Sequence, residues 1–199
     1  MAERKSTRQQ LLEDGMQLLL EHGYNDLGIQ TLLQKTGVPK GSFYHHFASK
    51  QAFALEAVDQ YMDQVHEGLT QCLTDRANPP LARVKRFFEL SRDKYAQEGH
   101  LGCLLGNLGQ ELAAINPTFS AAIEHCFETI AGRLSGCLRE AQKAGALDQS
   151  QDPDHLANLL LNCWEGAALR SRLQRDPAAL NDILDFYFGA LGTAPTAQP

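Results

Sequence analysis

No apolar run in this chain approaches the roughly 18–20 residues that a membrane-spanning helix requires. The longest candidate, Leu159–Leu169, is broken by Asn162, Glu165 and Gly166. The polar segment Met1–Arg8 is not followed by the apolar stretch of a secretory signal, so the expected location is the cytoplasm, with no membrane partner. Cysteine is sparse and unpaired in pattern. Cys72, Cys103, Cys126, Cys137 and Cys163 are odd in number, widely spaced and never CxxC, which argues against a disulfide scaffold or a zinc site. No stretch alternates β-branched and polar residues, so no strand is expected. P-loop, GxSxG, HExxH and glycine-rich dinucleotide turns are also missing. With its histidines scattered, the chain is expected to be no enzyme, with no catalytic residues, cofactor or metal. Excess positive charge is lacking too. The formal net charge is −6, but residues 1–50 hold six Lys/Arg against five Asp/Glu, and the rest hold twelve against nineteen. An acidic body cannot wrap DNA, so any contact with nucleic acid is confined to the amino-terminal part.

What is present is helical punctuation. Asn78-Pro79, Asn116-Pro117, Asp152-Pro153 and Asp176-Pro177 each place a capping side chain before a proline, which suits the first helical position. Gly23, Gly37, Gly99 and Gly145 stand where helices can stop. Apolar periodicity predicts an all-α fold of about nine helices. Three short ones lie within 7–46, followed by helices near 49–74, 79–98, 102–114, 117–144, 153–174 and 177–191. The expected organisation is a DNA-binding domain at 1–48, a sensing and dimerisation domain at 49–191, and a frayed tail at 192–199. The last two helices carry broad apolar stripes that end in small residues. Leu160, Trp164 and Ala167 on one, with Leu180, Leu184, Tyr187 and Phe188 on the other, suit close packing between helices of two subunits. The alternative is that these stripes only close the monomer core.

Residues 29–47, IQTLLQKTGVPKGSFYHHF, follow helix-turn-helix grammar. Ile29, Leu32 and Leu33 make a short amphipathic helix, Thr36-Gly37-Val38 a tight turn, and Pro39 opens a second helix. Val38 and Phe43 can pack inward and set the angle between the two. The outward residues are suited to a phosphate backbone. Lys40 and Ser42 lie at the positive end of the helix. Gly41 permits close approach, Tyr44 and His45 offer donors, and Lys50 opens the next helix with a further cation. A homodimer would present two such helices about 34–36 Å apart to a palindromic operator in double-stranded DNA.

Gly23-Tyr24, Thr36-Gly37-Val38, KGSFYHHF at 40–47 and Ser49-Lys50 together resemble the TetR family of repressors, and the full-length helix plan fits that resemblance. The resemblance implies a TetR-like fold, a DNA-binding repressor released by a small-molecule effector, and DNA contacts at Lys40, Gly41, Ser42, Tyr44, His45 and Lys50. Two residues depart from the family pattern. Gly15 stands mid-helix where Ala is usual, at a cost in helix stability. Gly28 replaces a capping Thr.

One segment of the second half carries chemistry. Gly99 and Gly102 bracket a helix start, with Cys103 expected in its first turn, where the helix end favours a reactive thiolate. His100 lies beside it, and Arg172 on the penultimate helix is a candidate cation for the same place. The pattern GCLLGNL…QEL resembles the TetR-family branch of electrophile-sensing repressors that control N-ethylmaleimide reductase and acrylate-use genes. That resemblance makes Cys103 a candidate sensor of an electrophile or oxidant. The competing reading is a structural Cys103 and a reversible ligand in a cavity lined by Leu104, Leu108, Phe127 and Trp164. A helical ligand-binding protein without DNA affinity is the rival class, but it would not need the Lys40–Lys50 surface.

Overall fold

The computed structural model describes residues 6–192, so the tail at 193–199 lies outside the described residues. Among the described residues the chain forms nine helices and no strand: α1 (Thr7–Asp26), α2 (Ile29–Thr36), α3 (Lys40–His46), α4 (Lys50–Leu73), α5 (Pro80–Gln97), α6 (Leu104–Leu112), α7 (Pro117–Lys143), α8 (Pro153–Gln174) and α9 (Ala178–Gly192). No helix among them is long and apolar enough to cross a membrane.

The punctuation works largely as expected. Asn116, Asp152 and Asp176 each accept a hydrogen bond from the backbone N–H two residues on, at 3.2, 2.9 and 2.7 Å, satisfying donors that the first helical turn leaves free. The fourth pair behaves differently. Asn78 donates to Asp75 at 2.7 Å, Pro79 takes the cap, and α5 starts at Pro80. Gly37 closes α2 in the left-handed conformation (φ 68°), a region that costs side-chain-bearing residues energy. Two boundaries differ from expectation. α1 is twenty residues long rather than short: it runs from Thr7 to a kink at Gly23 (φ 78°, ψ 178°) and ends at Asp26 just beyond it. α6 begins at Leu104 rather than 102, which leaves Cys103 just ahead of the helix instead of in its first turn.

The chain packs as two compact units. The first holds the residues up to Gln64 together with Leu104–Glu124; the second holds Val65–Cys103 and the residues from His125 onward. The expected division at 48 and 49 follows the helix-turn-helix alone. Packing adds the first turns of α4, whose Phe53, Ala54 and Ala57 are fully buried, and also adds α6, which lies on α1.

In the first unit Phe43, Phe47 and Phe53 form a fully buried cluster with ring centroids 5.1–5.5 Å apart. This aromatic group fixes α3 against the start of α4, since such rings bury large apolar area in a defined geometry. Gly15 is explained here. A Cβ on it would lie 2.1 Å from Cζ of Phe53, so the missing methyl is the space the ring fills.

In the second unit α8 and α9 pack together, and α9 also meets α5. Phe88 of α5 lies 4.9 Å from Trp164 of α8, centroid to centroid, and Tyr95 lies 6.0 Å from the same indole. The buried Tyr187 hydroxyl donates to the Leu156 carbonyl at 2.9 Å, which removes the cost of an unpaired buried polar group. Arg83 is almost fully buried. It donates to the Leu73 carbonyl at the end of α4 and to Glu140 at 2.6 Å, and the bonds to Glu140 from Arg83 and Arg76 draw that carboxyl below the usual carboxylate range.

Candidate nucleic-acid interface and sensor loop

The helix-turn-helix is built from inside outward. Leu32, Val38 and Phe43 are buried, as is Thr36, whose hydroxyl donates to the Leu32 carbonyl at 2.9 Å and accepts from the Val38 N–H at 3.4 Å. Gln10 of α1 donates to the Thr36 carbonyl at 3.1 Å and ties the turn to the first helix. With Phe43 turned in, the next residues must face out. Lys40, Gly41, Tyr44 and His45 are exposed, and Ser42 is half-buried. A Cβ at Gly41 would meet nothing within 4 Å, so this position leaves open space on the outer face. Gly28 caps α2 without any side-chain hydrogen bond, as its lack of a hydroxyl requires.

Lys50 is the exception among the six predicted contacts. Its ammonium lies 4.6 Å above the Tyr24 ring and donates to the Asn25 carbonyl at 3.4 Å. Partial burial lowers its pKa, opposed by Glu111 and Asp26. The residue therefore pins the first turn of α4 to the end of α1, and is not simply a cation offered to solvent. Glu111, on α6, was missed as a functional residue by sequence reasoning. Its carboxylate accepts from the Tyr24 N–H at 2.7 Å and the Asn25 N–H at 2.5 Å, capping the chain after the Gly23 kink. A Cβ at Gly23 would lie 2.6 Å from a Glu111 oxygen, so glycine is needed there both for its backbone angle and for the carboxylate's approach. The only sequence signal was the QEL that ends the sensor-loop pattern.

The second unit holds the predicted sensor loop between α5 and α6. Gly99, His100 and Gly102 all have positive φ (78°, 60° and 78°), a conformation that His100 adopts only when its surroundings hold it. They do so at three points. The His100 N–H donates to the Tyr95 carbonyl at 2.7 Å, its ring Nδ1 lies 3.2 Å from the buried Ser171 hydroxyl, and Arg172 donates to the Leu101 carbonyl at 3.3 Å. Arg172 thus anchors the loop backbone. Cys103 is buried at 6% exposure, and its thiol is hydrogen-bonded to the Glu165 carboxyl. Burial raises the Glu165 pKa to about 7, with the thiol hydrogen bond opposing the rise. In the sequence Glu165 stood out only as a break in the apolar run Leu159–Leu169.

The remaining predicted residues fall as follows. Leu104 and Leu108 are fully buried in the first unit, whereas Phe127 and Trp164 belong to the second, so the four do not gather within one compact unit. A groove of about 600 Å³ opens elsewhere in the second unit, lined by Cys72, Asp75, Asn78, Arg83, Arg86 and Glu89 among others. None of the five cysteines, all among the described residues, forms a disulfide, and burial pushes the Cys72 and Cys137 thiols up, away from reactive thiolate. The predicted dimer stripe needs correction. Leu160, Trp164, Ala167, Leu180, Leu184 and Tyr187 are all buried within this chain, where α8 and α9 pack on each other; only Phe188 is half-exposed. They are core residues with no surface to offer. The outer faces carry Leu159, Leu169 and Leu173 on α8 and Phe186 on α9, the last 74% exposed.

Comparison with known proteins agrees with this architecture. Residues 11–57 match the family described as bacterial regulatory proteins, tetR family, and residues 80–187 match the tetracyclin repressor-like C-terminal domain. The transcriptional regulator AcuR of Cereibacter sphaeroides is 39% identical over 176 residues, covering 88% of this chain and 80% of AcuR. The HTH-type transcriptional repressor DhaR of Mycobacterium sp. (strain GP1) is 32% identical over 188 residues, 94% of this chain and 93% of DhaR. Among solved structures, the reduced form of Escherichia coli NemR superposes with a TM-score of 0.86 at 28% identity, covering 96% of this chain and 99% of that one.

Proposed function

The chain belongs to the TetR family of DNA-binding transcriptional regulators, and on that footing we propose that it is a homodimeric repressor released from a palindromic operator when an electrophile or oxidant modifies Cys103. It is a DNA-binding regulator and not an enzyme. The observation that carries the DNA reading is the division of α3, with Phe43 fully buried and Lys40, Gly41, Tyr44 and His45 facing out beside Ser42. These five residues are the proposed contacts, with residues 1–48 as the DNA-binding part. Lys50 contributes by holding α4 to α1. Leu159, Leu173 and Phe186, with the exposed Gly166 and Gly189 that allow close approach, form the proposed dimer face. A homodimer would offer one α3 helix from each copy to successive major grooves.

The test uses the DNA flanking the chain's own gene and fluorescence anisotropy across a salt series. Lys40→Ala is expected to weaken binding to every sequence and to reduce the slope of log K against log salt by about 1, as one lost phosphate contact does. Tyr44→Ala weakens binding with little change in slope. Parent-like affinity in both variants refutes the contact assignment.

The sensor reading is supported by the held Gly99–Cys103 loop, by its covalent continuity with α6, and by the relative described in a reduced form. Since α6 carries Glu111, a displacement of its first turn would reach the Tyr24 and Asn25 backbone, and through it the helix-turn-helix. An effector acts only by favouring one arrangement over another. A thiol reagent is therefore expected to release the wild-type protein from DNA and leave Cys103→Ser bound. The burial of Cys103 favours a second reading, a reversible ligand with a structural thiol, under which Cys103→Ser responds like the parent.

A further inference from the structure

The groove of about 600 Å³ on the second unit plays no part in the sensor reading. Its walls are the last turn of α4, the connection that follows, and the outer face of α5, and its volume is that of a small-molecule site. None of its lining residues belongs to the proposed dimer face or to the Gly99–Cys103 loop.

Arg83, on its wall, gives the first sign of a ligand. The residue is 3% exposed, and two of its nitrogens are taken by the Leu73 carbonyl and the Glu140 carboxylate. Its Nε is buried and has no hydrogen-bond partner. A buried donor on a charged group is costly to leave unpaired, and an acceptor entering from the groove would remove that cost. The neighbouring cations are underused as well. Lys85 makes no ion pair among the described residues, and Arg86 approaches Glu89 only to 3.8 Å. Asp75, by contrast, is occupied, accepting from the Asn78 side-chain amide at 2.7 Å and the Ala77 N–H at 3.1 Å. Cys72 is buried in the same wall; burial raises its thiol pKa, while the charges of Arg86 and Asp75 act on it in opposite directions.

We propose that this groove binds a small monoanionic carboxylate, its oxygens met by Arg83, Lys85 and Arg86 and its apolar body lying along Ala82 and Leu90. Guanidinium groups are planar donors whose geometry suits carboxylate oxygens. The lining sets these three cations against the carboxylates of Asp75 and Glu89, so one negative charge balances it. A doubly charged phosphate ester would set its second charge against those same carboxylates. Binding here is reversible and forms no covalent bond, so it does not depend on the Cys103 reading.

The experiment is isothermal titration calorimetry of the full-length protein with hexanoate and with benzoate, each beside its uncharged amide, and with hexyl phosphate. The carboxylates should saturate one site per chain. The amides should bind at least about tenfold more weakly, as the loss of a charge-assisted hydrogen bond implies, and hexyl phosphate should bind more weakly than hexanoate. Arg83 also ties α4 to α7, so the two more exposed cations carry the test. The double variant Lys85→Gln with Arg86→Gln should lose at least about tenfold in carboxylate affinity. If circular dichroism shows that the pair does not fold, each single variant should show a smaller loss in the same direction. Cys103→Ser should bind hexanoate as the parent does. Parent-like carboxylate affinity in the folded variants, or loss of binding in Cys103→Ser alone, overturns the groove as the site. Amides that bind as well as the acids, or hexyl phosphate that binds more tightly than hexanoate, overturn the ligand class. Absence of saturable binding by both carboxylates overturns the proposal as a whole and leaves the Cys103 reading untouched.

Discussion

Gly15→Ala tests whether the mid-helix glycine of α1 is a packing device. On helix propensity alone the substitution should stabilise the protein by about 0.8–1 kcal/mol. The structure predicts the opposite sign. The new methyl carbon would lie 2.1 Å from Cζ of Phe53 and 3.0 and 3.1 Å from the flanking ring carbons, against an ordinary contact of about 3.5–4.0 Å. The ring would have to retreat by about 1.5 Å. It has nowhere to go, being fully buried against Phe43 and Phe47 at 5.5 and 5.1 Å. Overpacking of this kind costs about 1–3 kcal/mol, so after the propensity gain the net loss is about 1–2 kcal/mol at the upper part of that range. For a chain of this length that lowers the melting temperature by about 2–8 °C. Differential scanning calorimetry of Gly15→Ala, Phe53→Leu and the double variant makes the test specific. Leu vacates the space the methyl needs, so the double variant should be more stable than the two single changes predict by about 1 kcal/mol or more. A raised melting temperature in Gly15→Ala, or additivity within about 0.5 kcal/mol, refutes the reasoning.

Removing the Glu111 carboxylate as Glu111→Ala leaves the Tyr24 and Asn25 N–H groups to water; a loss of about 1–3 kcal/mol in thermal stability and weaker operator binding by anisotropy are expected, and no change in either dismisses the cap. Glu165 titrates higher in the folded chain than its ordinary 4.5, so the folded state holds the extra proton between about 4.5 and 7. Its contribution to stability is full below that window and is lost as pH rises through about 7, so the wild-type melting temperature should fall relative to Glu165→Gln between pH 5 and 8; parallel curves would contradict the assignment. Phe186→Asp places a charge on a residue 74% exposed in the single chain and should yield a folded monomer by light scattering, whereas Leu184→Asp, fully inside the α8–α9 core, should unfold. A Phe186→Asp dimer that still binds DNA would move the interface elsewhere.

The amino-acid sequence by itself determined whatever rests on neighbours within a few residues. The Asx-Pro caps, the glycine stops and the two short helices around Gly37 are local, because a capping oxygen or a missing Cβ acts on its own turn of backbone. For the same reason, once Phe43 was read as inward, the outward set of Lys40, Tyr44 and His45 followed from helical spacing. Periodicity located the apolar faces of α8 and α9, but it could not say what covers them. Leu160, Leu184 and Tyr187 read equally well as a subunit interface or as core, and only the packing of α8 on α9 showed that they are core. Tertiary structure alone decided the contacts between distant residues. Phe53 makes the glycine at 15 necessary, Glu111 closes the end of α1 and competes with no local signal, Lys50 is drawn onto Tyr24, and Glu165 meets Cys103. Each of these contacts depends on which helix lies against which, and a charged or small residue read along the chain carries no record of the partner that folding brings to it.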